Sequence, residues 1–115
     1  METLPSDRLN AYRVMWIFVM FDLPVVTKKE RRAASQFRKN LQKDGFTMMQ
    51  YSIYTRHCAS MEVLQMHARR VRKMMPPGGQ VSILKITDKQ YENIENFWGR
   101  MVQSLNPPMK QLEMF

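Results

Sequence analysis

The sequence has little of what disulfide-bonded or membrane-spanning proteins need. Among 115 residues there is one cysteine, Cys58, which cannot form a disulfide within the chain, so nothing requires an oxidising compartment. The longest apolar run, Val14 to Phe21, is eight residues, whereas a membrane helix needs about 20. The first ten residues are polar and lack the layout of a signal peptide. We therefore expect a cytoplasmic protein with no membrane-spanning segment.

The few histidines and glycines also exclude several kinds of site. Cys58 directly follows His57, which suits neither zinc binding nor a Cys–His nucleophile pair, and the second histidine, His67, has no partner at ligand spacing. The glycine pair Gly78-Gly79 follows two prolines. It therefore predicts a loop rather than a phosphate-binding turn.

Charge is the marked departure from an average composition. Eighteen lysines and arginines face ten aspartates and glutamates, which leaves a formal charge of +8 at neutral pH. Such an excess favours an anionic partner, either nucleic acid or an acidic membrane surface. The length suits one domain, and 44% hydrophobic residues is typical of a globular chain.

The first third of the chain predicts a strand followed by a helix. Val14 to Phe21 has the length and the β-branched and aromatic content of a buried central strand, and Pro24 ends it. Thr27 is a candidate helix cap because Glu30 lies at the spacing of a capping box. Gly45 is expected to end this helix.

The remaining pattern predicts two strands, a second helix and a further strand. Phe46 to Arg56 has strand composition, but polar residues interrupt its alternation, so we predict two strands around a bend. Ser60 can cap a helix, Gln80 to Ile86 is strand-like, and Thr87 with Gln90 forms another candidate capping box. The apolar stripe predicted for the second helix consists of Met61, Leu64, Ala68, Val71 and Met75.

This order predicts an α+β fold of the ferredoxin-like βαββαβ kind, an antiparallel sheet with both helices on one face. The opposite face would then expose a large apolar patch, which we expect a second copy of the chain to cover in a homodimer. We divide the chain into a polar leader (residues 1–12), a ferredoxin-like domain (13–100) and a C-terminal added strand or tail (101–115). The pattern leaves open whether residues 94–98 form a last strand or continue a helix.

Asp22 is the most informative single residue, because it lies where the first apolar strand ends. A carboxylate in that position can hold Mg²⁺, which prefers oxygen ligands and keeps several waters. If two copies meet face to face, two Asp22 side chains could approach one ion. The alternative is that Asp22 accepts backbone hydrogen bonds within the turn.

Basic residues on the two predicted helices form a second candidate site. Seven of the eight charged residues between Thr27 and Lys43 are positive, whereas a solvated helix face usually mixes signs. We predict phosphate contacts, the alternative being a basic surface without a ligand. The candidates are Lys28, Lys29, Arg31, Arg32, Arg38, Lys39, Arg69, Arg70, Arg72 and Lys73. With no base-reading motif beside them, they would position a duplex rather than read its sequence.

An RNA-recognition module shares this fold class and is a natural alternative. It requires stacking aromatic residues in a Lys/Arg-Gly-aromatic setting. Tyr51 and Tyr54 supply two aromatic rings but lack that pattern. The sequence therefore does not favour this reading.

A set of motifs, in a fixed order along residues 13–100, resembles the Cas2 family of small CRISPR adaptation proteins. The resemblance is greatest to the members found beside Cas9-type effectors. The resemblance includes the basic helix predicted between Pro24 and Gly45. The motifs are Phe21-Asp22-Leu23-Pro24, Gly45-Phe46, Gln50-Tyr51-Ser52-Ile53-Tyr54, Val81 to Thr87 and Lys89-Gln90-Tyr91.

The resemblance implies a homodimer that binds double-stranded DNA and bridges two dimers of the Cas1 integrase while a new spacer is inserted. The region of Lys28, Lys29, Arg31 and Arg32 is the one that meets the DNA backbone in this family, whereas residues 69–73 are assigned from charge alone. Ser52 matches a serine near the dimer centre. The family's C-terminal segment packs as an added strand and touches the integrase, and the tail Gln111 to Phe115 also resembles a sliding-clamp docking motif.

The resemblance equally implies a metal-dependent endonuclease acting on DNA or RNA. Asp22 matches the aspartate that is both the catalytic residue and the Mg²⁺ ligand, with one ion shared between two protomers. Asp22 has no histidine or second acidic residue nearby in sequence. A single carboxylate is insufficient for hydrolysis, since a general base must also be supplied from elsewhere. We therefore expect a DNA-binding scaffold first and an Mg²⁺-dependent endonuclease second.

Overall fold

The computed structural model of the chain describes residues 15–99 as a four-stranded sheet with helices. The leader and the tail, including Gln111 to Phe115, lie outside the described residues. The elements are β1 (Met15–Asp22), α1 (Lys28–Lys43), β2 (Thr47–Gln50), β3 (Ile53–Cys58), α2 (Met61–Lys73), β4 (Gln80–Thr87) and α3 (Asp88–Glu92). The strand order is β2-β3-β1-β4, and every neighbouring pair is antiparallel. The predicted ferredoxin-like α+β fold is confirmed.

Local signals set the two ends of α1 as the sequence predicts. The Thr27 hydroxyl accepts from the Glu30 amide at 3.0 Å, and the Glu30 carboxylate accepts from the Thr27 amide at 2.9 Å, which completes the capping box. After the cap residue Asp44, Gly45 adopts a φ of +91°. That backbone conformation strains any residue with a Cβ, so the helix ends there.

α2 begins as predicted but ends earlier. The Ser60 hydroxyl caps it by accepting from the Val63 amide at 3.1 Å. The predicted stripe is wrong at its last member: the helix ends at Lys73, and Met75 lies beyond it, 42% exposed. Pro76 disfavours the helical region for the residue before it, which explains the early end.

The core lies between the sheet and the two long helices. Alternate side chains of β1 face the helices, and Ile17 and Val19 are fully buried there. Phe37 and Leu41 of α1 and Leu64 of α2 pack in the same cluster. Both helices therefore cover one face of the sheet, as predicted.

The opposite sheet face is covered only in part. Residues paired across antiparallel strands share a face, and this one carries Trp16, Phe18, Met20, Ile53, Thr55, His57, Ser82, Leu84 and Ile86. Tyr91 of α3 stacks on Trp16 with ring centroids 3.6 Å apart, and the Trp16 Nε1–H donates to Asp88 at 3.0 Å. Leu84 stays 45% exposed. Residues 94–98, left open by the sequence, are neither strand nor helix.

A buried hydrogen bond joins the end of α1 to α2. His67 is 3% exposed, and its Nδ1 lies 2.7 Å from Asp44 Oδ2. Arg70 donates to the other carboxylate oxygen of Asp44 at 2.8 Å. His67 lacks a metal-ligand partner in sequence but has this carboxylate partner in space, and the contact fixes the two helices relative to each other.

Replacing Asp44 by alanine should lower the free energy of unfolding by about 2 kcal/mol, because a buried imidazole would lose its hydrogen-bond partner. Urea denaturation measures the change. Glu95 is exposed and has no partner within residues 15–99, so Glu95→Ala should change the value by less than about 0.5 kcal/mol. Equal effects of the two substitutions would contradict a structural role for the pair.

Candidate nucleic-acid interface

The topology brings the candidate residues to one end of the sheet. β1 ends at Asp22, which pairs with Gln80 at the start of β4. The Phe21 amide donates to the Ser52 carbonyl at 3.0 Å, so the β2–β3 turn lies beside the same strand end. α1 starts and α2 finishes at this end because each connects to a strand terminus there.

Gly79 lets the loop before β4 approach the end of β1. A Cβ on Gly79 would lie 2.8 Å from the Asp22 carbonyl oxygen, and the residue has a φ of +78°. Both constraints require glycine at this position. The loop from Pro76 to Gly79, which the sequence predicted, therefore packs next to Asp22.

Asp22 presents its carboxylate to solvent. The side chain is exposed and accepts no hydrogen bond from any residue between 15 and 99. The alternative that it serves as a turn acceptor is therefore wrong for the part of the chain that the structure describes.

The donor set for a metal at Asp22 is small. No group of three or more histidine, cysteine, aspartate or glutamate side chains that could hold a metal ion occurs within the described residues. One chain thus offers Mg²⁺ a single carboxylate at Asp22. That suits an ion that keeps most of its waters or is shared with a second carboxylate.

Most of the predicted phosphate-binding residues are exposed and have no side-chain partner within residues 15–99. In α1 these are Lys28, Lys29, Arg32 and Lys39, and in α2 they are Arg69, Arg72 and Lys73. Because no carboxylate of the described chain pairs with these cations, they remain available to bind an external anion. Apart from Lys39, which lies farther along α1, these cations form a positive surface at the Asp22 end of the sheet, where α1 begins and α2 ends.

Arg31 and Arg70 are also exposed, but each has an internal contact. Arg31 donates to the carbonyls of Val25 and Val26 at 3.1 and 2.8 Å, which holds the loop before α1. Arg70 contacts Asp44 as described above. Each arginine uses one guanidinium nitrogen, Nη1, for its internal contacts, and both residues remain exposed.

Arg38 has a different position from the one expected of a phosphate ligand. Its guanidinium carbon lies 3.7 Å from the centre of the Tyr51 ring and 4.9 Å from that of Phe21. The same side chain donates to the Tyr51 carbonyl oxygen. Arg38 therefore links α1 to the β2–β3 turn. The charge pattern alone could not reveal this contact, because it joins residues on two different parts of the fold.

Cys58 does not have the properties of a nucleophile. It is buried, and burial raises the pKa of its thiol, an effect that the nearby Arg56 charge opposes without cancelling. The thiol therefore stays protonated at neutral pH. His57 lies on the other sheet face, where its ring contacts Trp16 at 5.1 Å.

No helix among the described residues has the length and apolar character needed to cross a membrane.

Comparison with known proteins identifies the family. The family model for CRISPR associated protein Cas2 matches residues 15–94. A protein of Flavobacterium psychrophilum named CRISPR-associated endoribonuclease Cas2 is 49% identical over 108 residues, which are 94% of each chain. A protein of the same name from Parvibaculum lavamentivorans is 46% identical over 101 residues, covering 88% of this chain and all of that one.

A solved structure supports the fold independently. A crystal structure described as that of Cas2 aligns with a TM-score of 0.55 over 89% of this chain and 98% of that chain, at 18% identity. At that identity the likeness concerns the fold alone. The family-model match and the identities with these two relatives show that the chain belongs to the CRISPR-associated Cas2 family.

Proposed function

We propose that this protein is the DNA-binding subunit of CRISPR spacer acquisition, a homodimer that holds a duplex and bridges the Cas1 integrase. The observation that carries the proposal is the set of exposed, unpaired basic side chains on α1 and α2. The integrase would perform the strand transfer. Such a role belongs in the cytoplasm, where the CRISPR array is.

The chemistry of the basic surface suits a DNA backbone. Lysine and arginine side chains that neutralise phosphates release counterions, which gives affinity without sequence preference. Lys28 and Lys29 open α1, where the unpaired helix amides also favour an anion. These properties fit a protein that must accept spacers of any sequence.

The partly open sheet face supports the dimer. Trp16 and Phe18 are covered by Tyr91 of the same chain, but Met20 and Leu84 keep exposed area on the same face. A second copy packed on this face would bury that surface. The basic helices lie on the other side of the sheet and would remain available to DNA on both outer surfaces.

A second candidate function is an Mg²⁺-dependent endonuclease that cleaves RNA or DNA. It is favoured by the exposed Asp22 carboxylate, which has no partner within residues 15–99, and by relatives named as endoribonucleases. Two Asp22 side chains, one from each protomer, would hold the ion. When bound, Mg²⁺ supplies an activated water and neutralises charge on the phosphate. Asp22 itself would act by positioning that ion.

The scaffold ranks first because Asp22 has little support for hydrolysis. Within the described residues no second carboxylate or histidine contacts it. A hydrolytic site needs a group that removes a proton from the attacking water. The DNA-binding role, in contrast, requires only the exposed cations.

Replacing Lys28 and Arg32 together by alanine should weaken binding of a blunt DNA duplex, because two cations that contact phosphate are lost. The plot of log affinity against log salt should become shallower by about 0.9 for each phosphate contact removed. Fluorescence anisotropy at NaCl concentrations from about 50 to about 300 mM measures the affinity and its slope.

The matched control removes two cations elsewhere. Lys43 ends α1 at the far end of the helix, and Lys85 lies on the edge strand β4; both are exposed. Lys43→Ala with Lys85→Ala changes the net charge equally but should leave the slope nearly unchanged. Equal slopes for the two double variants would show that the start of α1 does not contact the DNA.

Leu84→Glu should convert the protein from dimer to monomer at micromolar concentration, since it places a charge on the exposed apolar part of the open sheet face. Light scattering gives the mass. Gln65→Glu adds the same charge at an exposed position on α2 and should leave the dimer intact. A monomeric wild-type protein, or a Leu84→Glu variant that stays dimeric, would refute packing through this face.

A further inference from the structure

Tyr51 combines two properties that rarely occur together, high exposure and a fixed position. The side chain is 72% exposed, whereas large aromatic residues are mostly buried on average. Its backbone carbonyl accepts a hydrogen bond from Arg38, and the guanidinium group of Arg38 lies beneath its ring. The ring is therefore held on one face and open to solvent on the other.

Arg38 holds the ring because it is itself fixed. Its guanidinium group lies between the rings of Tyr51 and Phe21, 3.7 and 4.9 Å from their centres. Phe21 is buried in the core, where its ring also contacts Phe37 edge-on at 5.1 Å. The stack from the core through Arg38 to Tyr51 ends in an open aromatic face, so a ligand there would meet a ring whose conformational freedom is already restricted.

We infer that Tyr51 is a stacking platform for an unpaired nucleobase, with Arg38 as the residue that positions it. This inference rests on the proposed DNA-binding function and names the form of DNA that the site would take. Bases stack on aromatic rings irrespective of their identity, since every base has a π-face. Bases inside a duplex already stack on their neighbours, so the platform would engage a single-stranded end or overhang.

The location of Tyr51 suits such a ligand better than a protein side chain. The ring lies at the same end of the sheet as the first turn of α1, because Ser52 next to it bonds to Phe21 at the end of β1. A strand whose phosphates contact the cations at that end could place its terminal base there. Arg38 reaches Tyr51 from the helix side of the sheet, so a second copy covering the opposite face would leave the ring accessible.

The test compares binding of two DNA duplexes of the same sequence, one blunt and one with a short single-stranded overhang that carries 2-aminopurine. Stacking on the tyrosine ring should quench the 2-aminopurine fluorescence of the wild-type complex. Tyr51→Ala should abolish the quenching and weaken binding of the overhang duplex about tenfold, with blunt-duplex affinity unchanged. Tyr51→Phe keeps the ring and should behave as wild type.

Arg38→Lys tests the positioning role, because it keeps the charge but not the planar group beneath the ring. We expect reduced quenching with unchanged blunt-duplex affinity. Circular dichroism at the binding temperature checks that each variant is folded, because Arg38 also links α1 to the β2–β3 turn. A fall in affinity for both duplexes alike would instead assign Arg38 to phosphate binding and overturn its positioning role.

The outcomes separate this inference from the proposed function. If wild type binds the blunt duplex but shows neither quenching nor a preference for the overhang, the platform is refuted and the scaffold stands. If it binds only single strands in a Tyr51-dependent way, the platform stands and duplex binding is refuted. Equal loss of both duplexes in Tyr51→Ala, or no binding by wild type at all, also refutes the platform.

Discussion

The pairing of β1 with β3 on one side and β4 on the other determines where every candidate functional side chain lies. Ile17 and Val19 of β1 are fully buried against the helices, and this burial fixes which β1 residues face them. A shift of one residue in the register would turn those side chains to the opposite face. The register also sets Asp22 opposite Gln80 and Phe21 beside Ser52, so the strand end, the β2–β3 turn and the helix termini meet at one place.

The two faces of the sheet divide the proposed work. On one face, the helices bury the core and turn their unpaired basic residues outward. On the other, an apolar surface only partly covered by Tyr91 is available for a second copy of the chain. A basic surface on each protomer and a shared apolar interface would give a symmetric particle with DNA-binding surfaces on its outside, which suits a bridge between two integrase dimers.

Local chemistry in the sequence predicted most of the fold. Some signals act over only a few residues and can therefore be recognised from the sequence alone. They are the capping box of Thr27 with Glu30, the cap at Ser60 and the helix end at Gly45. The prediction that Met75 belongs to the stripe of α2 was wrong because the apolar spacing continues up to Pro76. A proline disfavours the helical conformation of the residue before it.

The contacts that could not be predicted join residues distant in sequence. Asp44 meets His67 across 23 positions, Arg38 meets Tyr51 across 13, and Trp16 meets Asp88 across 72. None of these pairs follows from periodicity, since each depends on how whole elements pack. The same limit applies to the site: its charges and Asp22 were identified from sequence, but the fixed position of Arg38 beneath an exposed ring was not.

The most direct test of the scaffold is spacer integration reconstituted with the cognate Cas1 integrase, comparing wild type with Asp22→Ala. We expect Asp22→Ala to support integration at the wild-type rate, because the cations hold the duplex and the integrase joins the strands. Loss of integration in a variant that still dimerises and still binds the duplex would contradict that expectation. That result would make the carboxylate and its metal part of the mechanism.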